Sequence, residues 1–471
     1  MAKIKPKTAP LFIIAIVATI FWVLIWSKVL VKEVGGWYSS CPNCWGDWSA
    51  HLTYVASFAY GRNWPLELPV FAGHKFSYPF VIDLLSAGLV KLGLDLPNSL
   101  VIPGLILSVI LTYLIYRLAK ELAGSGRAGI FAVLLFLFNG GWGDDSRWLN
   151  FITSQIIPQR GSLLGLSLSI VVYLLLWKKK PLAAGIIAGL LPLVHVHSYL
   201  ISLVVGGLSG WRFLLPALAL GLPQIGYVYG WGVGKNFLAF DTFWLKQWWR
   251  LGLVLPLFTW GLIAAPPKLK RFFLPFWLVF VIANFFRFQP YNWDNSKLFL
   301  HWYLIASIGA ALVLVRWKLV GIIILLVSIF PGVRDVSKII QSEGKYQFFS
   351  NQQLGVAQSA RDILPKDAVV LTASNHNHWL PALTGRQIIM GYPGWLWTYG
   401  IDYLPRQADV AKMYQGNDEL LDEYRVDYVV IGPDEKNMWP DLNEAYFEAN
   451  FPLIYNESGY QIFSISTPGV D

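Results

Sequence analysis

The sequence predicts a polytopic α-helical membrane protein, with about eleven transmembrane helices and a soluble α/β domain at its C-terminal end. Three observations carry that prediction. Of 471 residues, 55% are apolar and only 14% are charged, whereas about a quarter of an ordinary soluble domain is charged. Apolar runs long enough for a full, short or tilted helix recur from Ala9 to Pro331. After Pro331, Asp, Glu, Asn and Gln become frequent and no further run is long enough to span. An aromatic share of 16% and a cysteine count of 2 exclude a disordered chain and a disulfide scaffold. The net charge of +9 comes from basic residues scattered at the ends of apolar runs, the pattern of cytoplasmic loops; no nucleic-acid partner is implied.

The first run, Ala9 to Val31, is too long for a signal-peptide core, ends at Lys28 and Lys32 and follows Lys3, Lys5 and Lys7, so it reads as a span with its N-terminus inside. The others lie near 98–117, 128–140, 162–177, 181–194, 198–210, 213–228, 251–266, 272–286, 298–315 and 319–331. The two between 181 and 210 are short and could instead be one broken helix. Alternation puts Arg117, Lys120, Arg127, Lys178 to Lys180, Arg212, Lys268, Lys270, Arg271, Arg316 and Lys318 inside, so every inner loop is basic. Residues 32–97, 141–161, 195–197, 229–250, 287–297 and the tail fall outside, with all 7 histidines in or next to them. The chemistry is therefore expected on the outer face of a multi-pass plasma-membrane protein, or the lumenal face in a eukaryote.

The expected domains are a membrane domain, 1–331, whose first outer loop, 32–97, carries interfacial helices, and an extracytoplasmic α/β domain, 332–471. In the tail, Ala368 to Thr372, Tyr428 to Ile431 and Tyr460 to Ser464 read as strands, and Asp418 to Tyr424 as helix.

The first outer loop contains Cys41-Pro-Asn-Cys44-Trp-Gly-Asp47-Trp-Ser-Ala-His51, running into an aromatic amphipathic stretch. Asp47 has two readings: a helix N-cap, or a carboxylate at the membrane surface that takes a proton from an acceptor. Farther on, Phe71-Ala-Gly-His74-Lys75-Phe-Ser-Tyr78-Pro79 leads into Phe80 to Leu94, which contains Asp83 and Lys91 and reads as an interfacial helix. Cys41 and Cys44 read as a local disulfide or two free thiols in preference to a zinc site, for which only His51 and His74 are near.

An inside N-terminus, an outer loop opening with an acidic residue, a Tyr-Pro interfacial helix and a span ending in Tyr116-Arg117-Leu-Ala-Lys120-Glu-Leu-Ala-Gly-Ser-Gly-Arg127 together resemble the GT-C superfamily of membrane glycosyltransferases. The resemblance covers residues 9–331 as architecture and is sharpest over 45–140. It implies inverting transfer of a sugar from a polyprenyl-phosphate carrier to an outer glycan, lipid or protein acceptor, among membrane lipids. Where that superfamily usually has an acidic pair after the first span, this sequence has the single Asp47 between Trp45 and Trp48. The second outer loop, Asn139-Gly-Gly-Trp-Gly-Asp144-Asp145-Ser-Arg147-Trp148, matches the superfamily's second acidic motif. Its two carboxylates could hold a divalent Mg or Mn ion, position an acceptor, or form a solvated turn. No organic cofactor is implied.

Pro158-Gln159-Arg160 follows at the start of a span, where an outer arginine wants an anionic partner. His195 and His197 join two apolar runs as metal ligands, phosphate donors or paired polar groups, although i, i+2 is not the helical i, i+4 zinc spacing. Asn292-Trp-Asp294-Asn-Ser-Lys297, with Arg287 ahead of it, suits a phosphate contact. The aromatic loop Phe237 to Trp249, with Lys246 and Arg250, reads as an interfacial belt. In the tail, Ser374-Asn-His376-Asn-His378-Trp379, Arg386 and Gly391-Tyr-Pro-Gly-Trp395-Leu-Trp397 either bind a ligand or fold onto the membrane domain.

With the resemblance, the expected roles are as follows. Asp47, Asp144 and Asp145 are catalytic; Gln159, Arg160, His195, His197, Arg287, Asn292, Asp294 and Lys297 hold the donor phosphate; His51, His74, Lys75, Tyr78, His376, His378, Arg386 and Trp395 meet the acceptor or sugar. Asp47, Asp145, Arg160, His197 and Lys297 should converge on one outward-opening cavity. The alternatives are a transporter or lipid-handling protein, which would place charges at mid-depth rather than at one face, and a non-catalytic scaffold with a sensing domain.

Overall fold

A computed structural model describes residues 9–143, 149–229 and 238–465. The chain opens with α1 (Ala9–Trp26), a hairpin of β1 (Val31–Glu33) and β2 (Gly36–Ser39), and the helices α2 (Cys44–Ala59) and α3 (Val81–Lys91). Then come α4 (Leu96–Ala123), α5 (Gly126–Leu137), α6 (Arg160–Trp177), α7 (Pro181–Gly189), α8 (Val196–Gly207), α9 (Trp211–Tyr229), β3 (Ala239–Phe240), α10 (Val254–Ala264), α11 (Pro267–Phe285), β4 (Phe286–Arg287), α12 (Ser296–Arg316) and α13 (Lys318–Ile340). Each apolar run of the sequence overlaps one of these helices, and 181–210 folds as two, separated by the turn that carries His195. Among the described residues, 4 helices are long and apolar enough to cross a membrane: Leu96–Ala123, Arg160–Trp177, Asn292–Arg316 and Lys318–Ile340.

Burial follows the lipid-facing logic of a bundle. Ile13, Val17, Ile20 and Leu24 form an exposed stripe on α1, and Ile102, Ile106 and Ile110 one on α4, at helical spacing. α12 is enclosed by α5, α10, α11 and α13, with Ala306, Gly309, Ala310 and Ala311 letting neighbours approach closely. Polar keys fix α1 on α4: the Trp22 indole donates to Thr112 at 2.9 Å and that of Trp26 to Ser108 at 3.0 Å. At the far end of the bundle Lys178 pairs with Glu121 at 3.5 Å and Lys268 lies 3.9 Å over the Trp177 ring.

α13 does not stop where the composition changes. It runs through Pro331 to Ile340, so the strands of the tail begin later than the expected boundary, at β5 (Tyr346–Ser350). The tail continues with α14 (Asn351–Ile363), β6 (Val369–Leu371), α15 (Trp379–Thr384), β7 (Gln387–Ile388), α16 (Pro393–Thr398), α17 (Leu404–Tyr414), α18 (Asp418–Glu423), β8 (Tyr428–Ile431), α19 (Pro433–Met438), α20 (Glu444–Asn450), β9 (Leu453–Glu457) and β10 (Tyr460–Ser464). Five strands form one sheet in the order β7-β6-β8-β10-β9, parallel at β7-β6-β8 and antiparallel at β8-β10-β9. The three strands read from the sequence are β6, β8 and β10.

The tail and the first loop form one layer. β5 stands outside the five-stranded sheet and pairs antiparallel with β2, Gly36 opposite Ser350, in a three-stranded sheet ordered β1-β2-β5. Loop residues 69–72 run along β7: Ile388 N–H donates to the Pro69 carbonyl at 2.9 Å, and Ala72 N–H to that of Ile388 at 3.1 Å. Gly385, at φ +75°, makes the docking possible, because a Cβ there would fall on the Ala56 carbonyl of α2. The segment after α1 and the segment after α13 therefore meet at one end of the bundle.

Candidate active site

Asn43, not Asp47, occupies the N-cap position of α2. Asp47 sits one turn in, and its Oδ2 accepts from Gln159 Nε2 at 2.8 Å instead of capping the backbone. α2 is pinned at this end by the Cys41–Cys44 disulfide, by Asn43 Nδ2 donating to the Thr153 carbonyl at 3.0 Å, and by Trp48 Nε1 donating to that of Ile157 at 3.0 Å. Both carbonyls belong to the π-helical turn Ile152–Ile156 and its exit, so the turn that sets Gln159 also sets Asp47. Burial pushes the Asp47 carboxyl up to about 6, against the pull of Lys297 and His51 and with the push of Asp294.

Lys297 enters from the first turn of α12. Its ammonium donates to Asp294 Oδ1 at 3.0 Å and to Gln289 Oε1 at 3.1 Å. The Gln289 amide nitrogen contacts His197 Nε2, so His197 is the acceptor there. The His195 ring stands 5.1 Å from that of His197 and bonds Ser162 at 3.0 Å and Ser198 at 2.8 Å. Behind it, Ser198 meets His301 at 3.1 Å and His301 meets the Tyr173 hydroxyl at 2.8 Å. Asn295 Nδ2 holds the 287–297 turn by donating to the Ala283 and Phe286 carbonyls at 2.8 and 2.7 Å. Arg287 donates to the Pro290 carbonyl at 3.0 Å, and the Asn292 carbonyl accepts from Trp244 Nε1 at 2.8 Å. The structure thus brings Asp47, Gln159, Asp294, Lys297, His195 and His197 to one region, with Arg287 and Asn292 on its supporting turn.

Arg160 points elsewhere. Its guanidinium meets Asp83 Oδ1 at 2.5 Å and Ser86 Oγ at 2.6 Å, while His51 Nδ1 lies 2.9 Å from Asp83 Oδ2. All three charged or titratable groups are at most 3% exposed. The anionic partner that Arg160 needs is thus Asp83 of α3, not a donor phosphate, which corrects its expected role and draws His51 into the same buried cluster. His74 bonds the Lys75 carbonyl at 2.7 Å, and the Lys75 ammonium lies 4.3 Å over the Tyr227 ring. Tyr78 packs between Tyr54 and Tyr399, whose hydroxyls share a 2.6 Å hydrogen bond.

In the tail, His376 and Trp395 stand over α2, the His376 ring 4.3 Å from that of Trp45 and 5.6 Å from that of Trp395. His378 and Arg386 do not reach the site. His378 is buried against Glu435 at 2.8 Å, and Arg386 spends its guanidinium on the Pro365, Thr384 and Arg361 carbonyls at 3.0, 2.7 and 2.8 Å. Both are interior supports of the tail, which corrects their expected contact with a ligand. Asp144 and Asp145 lie outside the described residues. Among the described residues no group of three or more His, Cys, Asp or Glu is placed to hold a metal ion. Asp83, Gln289, His301 and Tyr399 had no role in the sequence reading. Asp83 carried a visible signal, a carboxylate inside an apolar interfacial helix; Gln289 carried none.

A helical bundle with interfacial helices after the first helix, topped by an α/β layer over a carboxylate and a lysine, is a fold this chain shares with several solved membrane transferases. ArnT from Cupriavidus metallidurans, bound to undecaprenyl phosphate, shares it at a TM-score of 0.57 and 11% identity, over 98% of this chain and 99% of that one. The oligosaccharyltransferase of Archaeoglobus fulgidus, tethered to an acceptor peptide containing the NVT sequon, gives 0.55 and 12%, over 98% and 74%. The arabinofuranosyltransferase AftD from Mycobacteria gives 0.56 and 13%, over 98% and 42%. No family model and no curated relative matches the chain. At these identities the likeness is one of fold.

Proposed function

We propose that the protein transfers a sugar from a polyprenyl-phosphate carrier to an acceptor hydroxyl on the extracytoplasmic side, with inversion at the anomeric carbon. The observation that carries this reading is that Asp47, bonded to Gln159, lies within electrostatic reach of Lys297 at the end of the bundle where the first loop and the tail meet. Asp47 takes the acceptor proton as the new C–O bond forms, and the electron pair of the breaking bond leaves on the carrier phosphate. A carboxylate near 6 is better matched to that work at neutral pH than an ordinary aspartate. Gln159 fixes one carboxylate oxygen and leaves the other for the proton. Lys297 meets the phosphate: an ammonium has three donors, of which Asp294 and Gln289 take two. His197, held by Gln289, and His195 flank that contact.

Asp144 and Asp145 are proposed as the carboxylates that would hold a divalent cation. The extracytoplasmic assignment draws on the Cys41–Cys44 disulfide, which suits an oxidising compartment, and on the basic residues at the opposite end of the bundle. Because the first loop and the tail share a sheet, an even number of crossings separates them. The test is undecaprenyl phosphate binding and sugar transfer on the same purified variants. Asp47→Asn should bind the lipid phosphate and fail to transfer, and Lys297→Ala should bind it more weakly; unchanged transfer by Asp47→Asn would remove Asp47 as the base.

A further inference from the structure

Over the Asp47 region the tail builds a roof from two segments, loop 374–379 and residues 391–400, which contain α16. Loop 374–379 is tied to α2 directly. The His376 ring lies 4.3 Å from that of Trp45, and Ser49 Oγ donates to Asn377 Oδ1. The second segment reaches both reactive elements: Tyr399 bonds Tyr54 of α2, and the Trp397 ring stands 5.4 Å from Tyr291, which stacks at 4.7 Å on Trp293 just before Asp294 and Lys297. The roof therefore touches both the helix that carries Asp47 and the turn that leads into Asp294 and Lys297.

Its chemistry is unusual for so polar a segment. From Thr372 to Ile401 the only charged side chain is Arg386, which is 2% exposed and turned inward to carbonyls. Burial pushes His376 down to about 4, so it is neutral at pH 7. What remains open is aromatic: Trp45 at 48% exposure and Trp293 at 36%, with Tyr392, Trp395 and Trp397 half-buried.

We infer that this roof is the acceptor site and that the acceptor is a neutral carbohydrate, stacked on Trp395, Trp397 and Trp45 with one hydroxyl delivered to Asp47. Partly exposed indoles and phenols offer apolar faces with polar edges, which match the C–H faces and hydroxyl rims of sugar rings. A charged headgroup would find no exposed counter-charge on the roof. An extended peptide would look for a free strand edge, and the β7 edge is already taken by residues 69–72.

The inference rests on the proposed transferase reading, and the experiment separates the two. Full-length purified protein is titrated with neutral hexasaccharides of glucose, mannose, galactose, arabinose and N-acetylglucosamine, with a peptide containing the NVT sequon, and separately with undecaprenyl phosphate. At least one hexasaccharide should bind saturably, at least tenfold more weakly to Trp395→Ala and Trp397→Ala, while Trp395→Tyr, which keeps a ring, retains most of the affinity. Undecaprenyl phosphate should bind all of these variants as it binds the parent. No saturable hexasaccharide binding, binding indifferent to the tryptophans, or peptide binding in its place would overturn the carbohydrate assignment. In each of those outcomes lipid-phosphate binding would leave the transferase reading standing, whereas its loss in the parent protein would strike that reading alone.

Discussion

Asp47 on α2 and Asp83 on α3 are both carboxylates of interfacial helices in the first loop, yet their surroundings differ in kind. Asp83 is wholly buried and saturated, with the Arg160 guanidinium on one oxygen and His51 on both. Asp47 is half-buried, has one amide donor, and meets its nearest cation only at longer range. A buried charge with a full set of partners holds helices together; a partly exposed one with an incomplete set is stressed and available for chemistry. The same contrast separates Arg160, whose guanidinium is spent on Asp83 and Ser86, from Lys297, the cation proposed to meet the phosphate.

The widest gap between the two should appear in folding. Arg160→Ala leaves Asp83 buried without its cation and should cost about 3–5 kcal/mol, read as a large loss of thermal stability in detergent. Replacing both, Asp83→Leu with Arg160→Met, should recover much of it; a single variant as stable as the parent would break the contrast.

Next in size is catalysis. Asp47→Asn should lower the transfer rate by about a hundredfold or more, and in the parent the rate should rise with pH through about 6, where the Asp47 carboxyl ionises. A profile without that inflection would take Asp47 out of the proton transfer.

Lys297→Ala comes third. Loss of one charge-assisted hydrogen bond, about 1.5–3 kcal/mol, corresponds to undecaprenyl phosphate binding weaker by roughly ten- to 150-fold. Equal affinity would return Lys297 to the supporting class with Arg160.

The smallest effect has the opposite sign to the first. Asp47 has a raised folded-state value, so its charged form opposes folding; the penalty grows as pH rises from about 4 to about 6 and is complete above that. Asp47→Asn should therefore melt above the parent at pH 7.5, and the difference should shrink as pH falls below about 6. A variant that melts lower at pH 7.5 would mean that Asp47 is support as well.

The helical scaffold was legible because apolar runs separated by basic or polar turns leave few other structures in a membrane. The position of Asp47 near the start of an interfacial helix was legible too, as an acidic residue just beyond the first apolar run. The Asp83–Arg160 pairing was not, since its members lie 77 residues apart in sequence and only the packing of α3 on α6 joins them. His378 and Arg386 misled for a related reason: polar residues among turn formers look exposed, and only the sheet around them shows that they are inside. Pro331 marked the change of composition correctly, but the end of α13 is set by packing nine residues farther on.

The strand pairing of β2 with β5 sets an order of events during synthesis. Ser350 leaves the ribosome more than three hundred residues after Gly36, its partner in register. Until then β1 and β2 form only a two-stranded hairpin, which is marginal by itself in water. The Asp47 helix hangs from that hairpin, and its roof is made later still. A partly synthesised chain thus already has its bundle helices but neither the completed sheet under the Asp47 helix nor the tail loops that pack over it, and the Asp47 region is finished only when the last third of the chain has docked.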